Sequence, residues 1–284
     1  MSSEQAITPE LRRWIVDQAQ AGCSMQDVLQ SMVKAGWREA VAVEAMEISL
    51  RAHVGQQKGT EGLPPVMATP VIDLKDSPLW LDAGDRRVQV VLSLVLPRVV
   101  VLDNLLSEEE CDALIAAADP RMARSLTVQN LTGGDEVNEN RTSDGMFFKR
   151  AETALIERIE ARIARLIQWP VEYGEGIQVL HYRPGAEYKP HYDYFDPNEP
   201  GTPTILKRGG QRVGTVVMYL NNPENGGGTT FPDVQLEVAP RKGGAVFFSY
   251  DRPHPMTKTL HGGAPVITGE KWVATKWLRQ GVFV

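Results

Sequence analysis

The sequence predicts an α+β protein: a small bundle of three helices, then two longer helices, then many short strands folded as a sandwich or jelly roll with the helices packed on one sheet. Three observations carry this. Apolar residues recur at helical spacing between Thr8 and Arg51 and again in two segments before Pro170. Beyond Pro170 that period stops, and short β-rich runs alternate with turn residues. A chain of 284 residues with 42% hydrophobic and 23% charged side chains has the composition of one that folds around a core.

Thr8-Pro9-Glu10 reads as an N-cap, a first-turn proline and an acidic first turn, followed by Leu11, Trp14, Ile15 and Ala19 on one helical face until Gly22. Ser24 opens a second helix whose apolar set is Met25, Val28, Leu29, Met32 and Val33, and Gly36 stops it. A third helix follows Trp37 and runs to about Arg51. Residues 1–53 thus form a three-helix module, a type of unit that docks partners more often than it catalyses, with Trp14 and Trp37 as aromatic anchors. Residues 54–87 turn to Gly, Gln, Thr and Pro, with Pro64-Pro65 and Pro70 opposing helix, and read as a linker.

The second unit spans 88–284. Val88, Val90, Leu92, Leu94 and Leu96 alternate as a strand does, and 98–102 offers another strand. Ser107-Glu108-Glu109-Glu110 is a capping box, opening a helix that buries Cys111, Leu114, Ile115 and Ala118. A second helix over 151–167 puts Leu155, Ile159, Ile163 and Leu166 on one side. Strands follow at 177–182, 215–220, 245–249 and 272–278. The glycines at 209–210 and 226–228 are read as turns, since neither run has the Lys-Ser/Thr ending of a phosphate loop.

Thirty basic against 36 acidic side chains give a net charge of −6, which argues against nucleic acid or an anionic membrane as partner. Two cysteines without CxxC spacing exclude a disulfide framework and a zinc ribbon. With no signal-like N-terminus and no long uncharged apolar run, the expectation is a cytoplasmic protein.

The chemistry is sought among five histidines. His53 lies beside the linker and reads as a surface residue; His181, in a run with Ile177 and Val179, reads as a core histidine. His191 differs. In Lys189-Pro190-His191-Tyr192-Asp193 an extended chain turns residues i and i+2 to the same side, so an imidazole and a carboxylate converge. They make two thirds of the facial triad that holds non-haem Fe(II) with positions left open. A second histidine must come from a neighbouring strand. His254 stands between two prolines in what reads as a mobile loop, whereas His261 precedes the β-rich Pro265-Val266-Ile267, and His261 is chosen. Ten residues on, Lys271 begins a buried strand, where a cation is costly unless it meets an anion such as a ligand carboxylate.

With these residues in place the chain resembles the prolyl 4-hydroxylase branch of the Fe(II)- and 2-oxoglutarate-dependent dioxygenases, from about Val99 to Leu278. The ordered matches include Asp103-Asn104-Leu105-Leu106-Ser107, Arg141-Thr142-Ser143, His191-Tyr192-Asp193, Gly209-Gly210-Gln211-Arg212, Tyr219-Leu220-Asn221, His261-Gly262-Gly263 and Gly269-Glu270-Lys271-Trp272. The resemblance implies a double-stranded β-helix, or jelly roll, with packing helices. It implies His191, Asp193 and His261 as iron ligands and Lys271 as partner of the distal carboxylate of 2-oxoglutarate. Tyr182 and Thr215 would line the co-substrate pocket, and Arg141 and Trp277 would meet the substrate. The implied reaction hydroxylates prolyl residues of a protein with dioxygen, yields succinate and carbon dioxide, and draws on ascorbate to keep iron reduced. The family often has cysteine where this chain has Ala264, which is no ligand, and collagen itself is not expected as substrate. Two other readings remain at this point: a hydroxylase of a free amino acid or other small molecule, and a non-catalytic jelly roll that binds a peptide.

Overall fold

The computed structural model describes residues 7–58, 62–124, 126–128, 135–137 and 142–284, with side chains except at 20, 51–58, 126–128 and 135–137. Arg141 lies outside the described residues, as does the side chain of His53. The chain divides into two compact units, Met1–Leu63 and Pro64–Val284.

In the first unit, α1 (Pro9–Gln20), α2 (Met25–Lys34) and α3 (Glu39–Lys58) form the bundle. The Thr8 hydroxyl accepts from the Leu11 amide and that of Ser24 from the Asp27 amide, each satisfying one of the donors a helix start leaves free. Ile15, Val28, Met32, Ala42, Ala45 and Met46 make the core, and Trp37 packs against it. Trp14 stays 37% exposed. The third helix runs to Lys58, beyond the expected end, because one glycine, Gly55, costs a helix interior only about 1 kcal/mol and no proline interrupts it.

The expected linker over 54–87 requires a second correction, since its later part belongs to the second unit. The Met67 amide donates to the Asp251 carbonyl (2.7 Å) and that of Val71 to Ile167 (2.9 Å), while Ile72, Leu74 and Leu81 pack on the core. Proline forbids helix there but not an extended chain laid along a domain, and Pro70 sits directly over Gly214.

The strands, in chain order, are β1 (Trp80–Asp82), β2 (Arg87–Leu94), β3 (Arg98–Asp103), β4 (Ala123–Arg124), β5 (Leu126–Val128), β6 (Asp135–Val137), β7 (Asp144–Phe148), β8 (Ile177–Tyr182) and β9 (Tyr188–His191). They continue with β10 (Arg212–Tyr219), β11 (Asn225–Gly226), β12 (Thr229–Phe231), β13 (Leu236–Val238), β14 (Ala245–Ser249), β15 (His261–Gly263), β16 (Val266–Thr268) and β17 (Lys271–Arg279). A nine-stranded sheet runs β1-β2-β3-β14-β10-β17-β8-β7-β4, and a four-stranded sheet runs β13-β12-β15-β9. Their pairings are antiparallel.

Helices α4 (Glu108–Ala118) and α5 (Ala154–Leu166) cover one face of the large sheet. Cys111, Leu114, Ile156, Ile159 and Ile163 meet Val179, Val216, Met218, Ala274 and Leu278 there. The alternate residues Leu180, Tyr219, Val246, Phe248 and Val273 meet Phe231, Val238 and Val266 in a second core. Both faces of the central strands are therefore covered, which is why β8 and β17 read as unbroken buried runs rather than as alternating ones. The capping box foreseen at Ser107 and Glu110 is formed in both directions. Between the two sheets lies a cavity of about 460 Å³ including its mouth.

Candidate metal and co-substrate site

Antiparallel pairing of β15 with β9 sets His261 directly opposite His191. The turn after β9 carries Asp193 beneath both, so the three ligand atoms lie within 4.8 Å of one another. His191 Nε2 is 3.5 Å from Asp193 Oδ1, and His261 Nε2 is 3.4 Å from Asp193 Oδ2. Each imidazole is fixed by the same device: Nδ1 lies 2.9 Å from the carbonyl two residues earlier, Lys189 for His191 and Thr259 for His261. A carbonyl only accepts, so Nδ1 carries the proton and the Nε2 lone pair is left for a metal. His191 is further stacked on Tyr188 at 3.7 Å between centroids. His261 is buried against Phe248, at 4.5 Å.

Asp193 is 6% exposed. Burial would raise its pKa, but the facing histidines, His261 foremost, pull it well below the ordinary carboxylate range, so it presents a full negative charge. For His191, burial and the neighbouring His261 lower the pKa and favour the neutral, ligating form, against the pull of Asp193. Two imidazoles and one carboxylate, with the cavity on their open side, are the donor set that suits Fe(II) with vacant positions. The residues present thus fit that metal.

Thr215, on β10, donates from Oγ1 to Asp193 Oδ2 at 2.7 Å and is itself 3.1 Å from the Tyr250 hydroxyl. It lines the cavity as expected of a pocket residue, and it also orients the carboxylate. Sequence reasoning named neither that bond nor Tyr250, whose spacing from Asp193 gives no periodic signal.

The far end of the cavity fits a dicarboxylate. Lys271 is 4% exposed, and no carboxylate lies within ion-pair distance of it among the described residues. Burial pushes its pKa down to about 8, with Glu237 opposing. The ammonium rests 5.4 Å from the centre of the Tyr182 ring, a residue that faces it across the β8–β17 ladder. Asn221 clamps the start of β17: its Nδ2 donates to the Glu270 carbonyl (2.8 Å) and its Oδ1 accepts from the Trp272 amide (2.7 Å). Trp277 lines the opposite part of the cavity, and its Nε1 is buried without a hydrogen-bond partner among the described residues. The structure therefore brings together seven of the eight expected site residues, with Arg141 outside the described set.

The other two assessed histidines lie elsewhere. His181 stacks on Trp272 at 4.0 Å and meets Glu270. His254 caps a short 3-10 turn, accepting from the Met256 amide, instead of sitting in a loose loop. Unforeseen was a buried cluster beside Trp277, in which Glu175 binds Arg212 (2.7 Å) and Arg279 (2.6 Å).

Comparison with known proteins agrees with this chemistry. Residues 177–279 match the family model of the 2OG-Fe(II) oxygenase superfamily. Prolyl 4-hydroxylase 5 of Arabidopsis thaliana is 42% identical over 221 residues, covering 70% of this chain and 74% of that protein. Prolyl 4-hydroxylase 1 of the same plant is 44% identical over 202 residues, 65% of this chain and 69% of that protein. Among solved structures, the viral collagen prolyl hydroxylase of Paramecium Bursaria Chlorella virus-1, as its 2OG complex, aligns at TM-score 0.49 with 30% identity, over 64% of this chain and 95% of that one. By identity, coverage and donor set, the chain belongs to the prolyl 4-hydroxylase branch of the Fe(II)- and 2-oxoglutarate-dependent dioxygenases.

Proposed function

We propose that this enzyme hydroxylates the 4-position of prolyl residues in a cytoplasmic protein, with ascorbate sustaining activity by re-reducing iron. The observation that carries the reading is one cavity holding both the His191–Asp193–His261 donors and a buried lysine with no carboxylate at ion-pair distance among the described residues. The names of the Arabidopsis relatives support proline as the target. The two free cysteines suit a reducing compartment.

When bound, Fe(II) and 2-oxoglutarate supply the oxygen activation that side chains lack, giving succinate and carbon dioxide as co-products. The chain supplies position and a dry site. His191, Asp193 and His261 would hold the metal on one wall; Thr215 orients the Asp193 carboxylate. Lys271 would pair with the distal carboxylate, and Tyr182 flanks that ammonium. Leu180, Val217 and Val273 line the walls and exclude water, which strengthens each charge interaction inside. Trp277 offers its unpartnered N–H to a peptide carbonyl. The N-terminal helices, with exposed Trp14, dock a protein partner.

The test is mass spectrometry of lysate proteins incubated with the enzyme, Fe(II) and 2-oxoglutarate. Proline residues gaining the mass of one oxygen atom, absent without 2-oxoglutarate, are expected. Modification of free amino acids with no peptidyl proline changed would overturn the reading.

A further inference from the structure

Strand β17 serves two environments in alternation. Lys271, Val273, Thr275 and Trp277 line the cavity, whereas Trp272, Ala274 and Leu278 join the core under the helices. Lys276 belongs to the second series, and it is 2% exposed. An ammonium in that setting is costly unless paired. Its Nζ donates to Glu160 Oε1 on α5 and to the backbone carbonyl of Glu175. The second Glu160 oxygen accepts from the Ala151 amide at 2.9 Å, so both ions are held by more than each other. A buried ion pair contributes little net stability compared with apolar residues of the same volume. Its use here lies in what it grips.

That is the strip Gly174-Glu175-Gly176. The Glu175 amide donates to the Trp277 carbonyl at 2.9 Å, and its own carbonyl takes the Lys276 ammonium. A Cβ at Gly174 would collide with the Lys276 side chain, and one at Gly176 with the Phe148 carbonyl, so the strip is seated tightly on both sides. From this seat the Glu175 carboxylate reaches Arg212 through two bonds (2.7 and 3.0 Å) and Arg279 through one (2.6 Å). The Arg212 guanidinium in turn lies 4.1 Å over the Trp277 ring.

We propose that the Glu160–Lys276 pair is a positioning device for the peptide side of the site. It fixes Glu175 and, through Arg212, the plane of Trp277, so the coupling of 2-oxoglutarate consumption to peptide hydroxylation depends on two residues that do not line the cavity. This rests on the reading of Trp277 as the wall against which the peptide lies.

Truncating one partner alone would strand a buried charge with no side-chain group left to bond, so the main variant is the double change Glu160→Gln/Lys276→Met, which keeps volume without charge. Glu160→Gln alone, which leaves Lys276 bound to the Glu175 carbonyl, is the milder companion. Five quantities are read on the full chain. The fluorine NMR signal of Trp277 in fluorotryptophan-labelled protein, assigned by its loss in Trp277→Phe, reports the ring directly. Iron content and the KM for 2-oxoglutarate report the metal side. The KM for a synthetic oligoproline peptide, and the 2-oxoglutarate consumed per hydroxyproline formed, report the peptide side.

In the double variant the Trp277 signal should shift, the peptide KM should rise about tenfold or more and the consumption ratio should climb. Iron content and 2-oxoglutarate KM should stay within about twofold. Glu160→Gln should show the same pattern in smaller measure, and it decides the question if the double variant does not fold. An unmoved Trp277 signal, or a 2-oxoglutarate KM that shifts as much as the peptide KM, would overturn the proposal. If the parent enzyme forms no hydroxyproline, the proposed function fails instead, and the fluorine signal alone decides whether the pair positions Trp277.

Discussion

At the scale of residues, each polar group in the cavity has a separate task, and the tasks can be removed singly. Asp193→Ala or His261→Ala leaves two donors, so iron content measured after dialysis should fall close to zero. His254→Ala should retain iron, because that ring only caps a turn. Thr215→Val removes the bond that orients Asp193, and losses of that kind cost roughly 10–100-fold in metal affinity; an Fe(II) titration should show it. Lys271→Ala should raise the 2-oxoglutarate requirement about thirtyfold or more, since truncating one side of a buried charge pair costs about 2–5 kcal/mol. Its depressed pKa gives a pH signature. The free enzyme carries the cation below about pH 8, so the KM for 2-oxoglutarate should be flat there and rise above it as the ammonium deprotonates. Much of this site was legible in the sequence, because two ligands sit two residues apart in an extended run and Lys271 opens a buried strand, where a cation needs an anion to meet. Tyr250 and the Glu175–Arg212–Arg279 cluster were not legible: their partners lie far apart in sequence, and no local spacing records those contacts.

At the scale of elements, legibility followed local chemistry. The helix caps at Thr8, Ser24 and Ser107 depend on residues three apart, and each forms as the sequence implies. Strand order in the large sheet, where β14 and β10 sit between β3 and β17, depends on long-range pairing and had no local sign. The extended 64–79 segment packs on the second unit although its composition reads as a linker, because Pro-rich composition excludes helix without saying what the chain rests on. The capping box lends itself to a direct test. Ser107→Ala removes the acceptor of the Glu110 amide and should cost about 1 kcal/mol in urea unfolding. Ile159→Ala, at a fully buried point where α5 meets the sheet, should cost about 2–5 kcal/mol in the same assay.

At the scale of the molecule, the two units separate site from appendage. All seven described site residues lie in Pro64–Val284, and the first unit has a core of its own. A chain beginning at Pro64 should therefore fold, bind iron and decarboxylate 2-oxoglutarate, while hydroxylating a full-length protein substrate less well than the intact chain does. Circular dichroism and iron analysis check the first part, and turnover on a short peptide against the whole protein checks the second. The central claim is that this one cavity joins dioxygen reduction to hydroxylation of peptidyl proline. The most direct measurement supplies isotopically labelled dioxygen to the iron-loaded enzyme with 2-oxoglutarate and a proline peptide, beside the Asp193→Ala variant. One labelled atom on proline and one in succinate, in equal amounts, are expected, with neither product from the variant; proline that gains unlabelled oxygen, or hydroxylation that survives loss of Asp193, would show that the cavity does not join the two reactions.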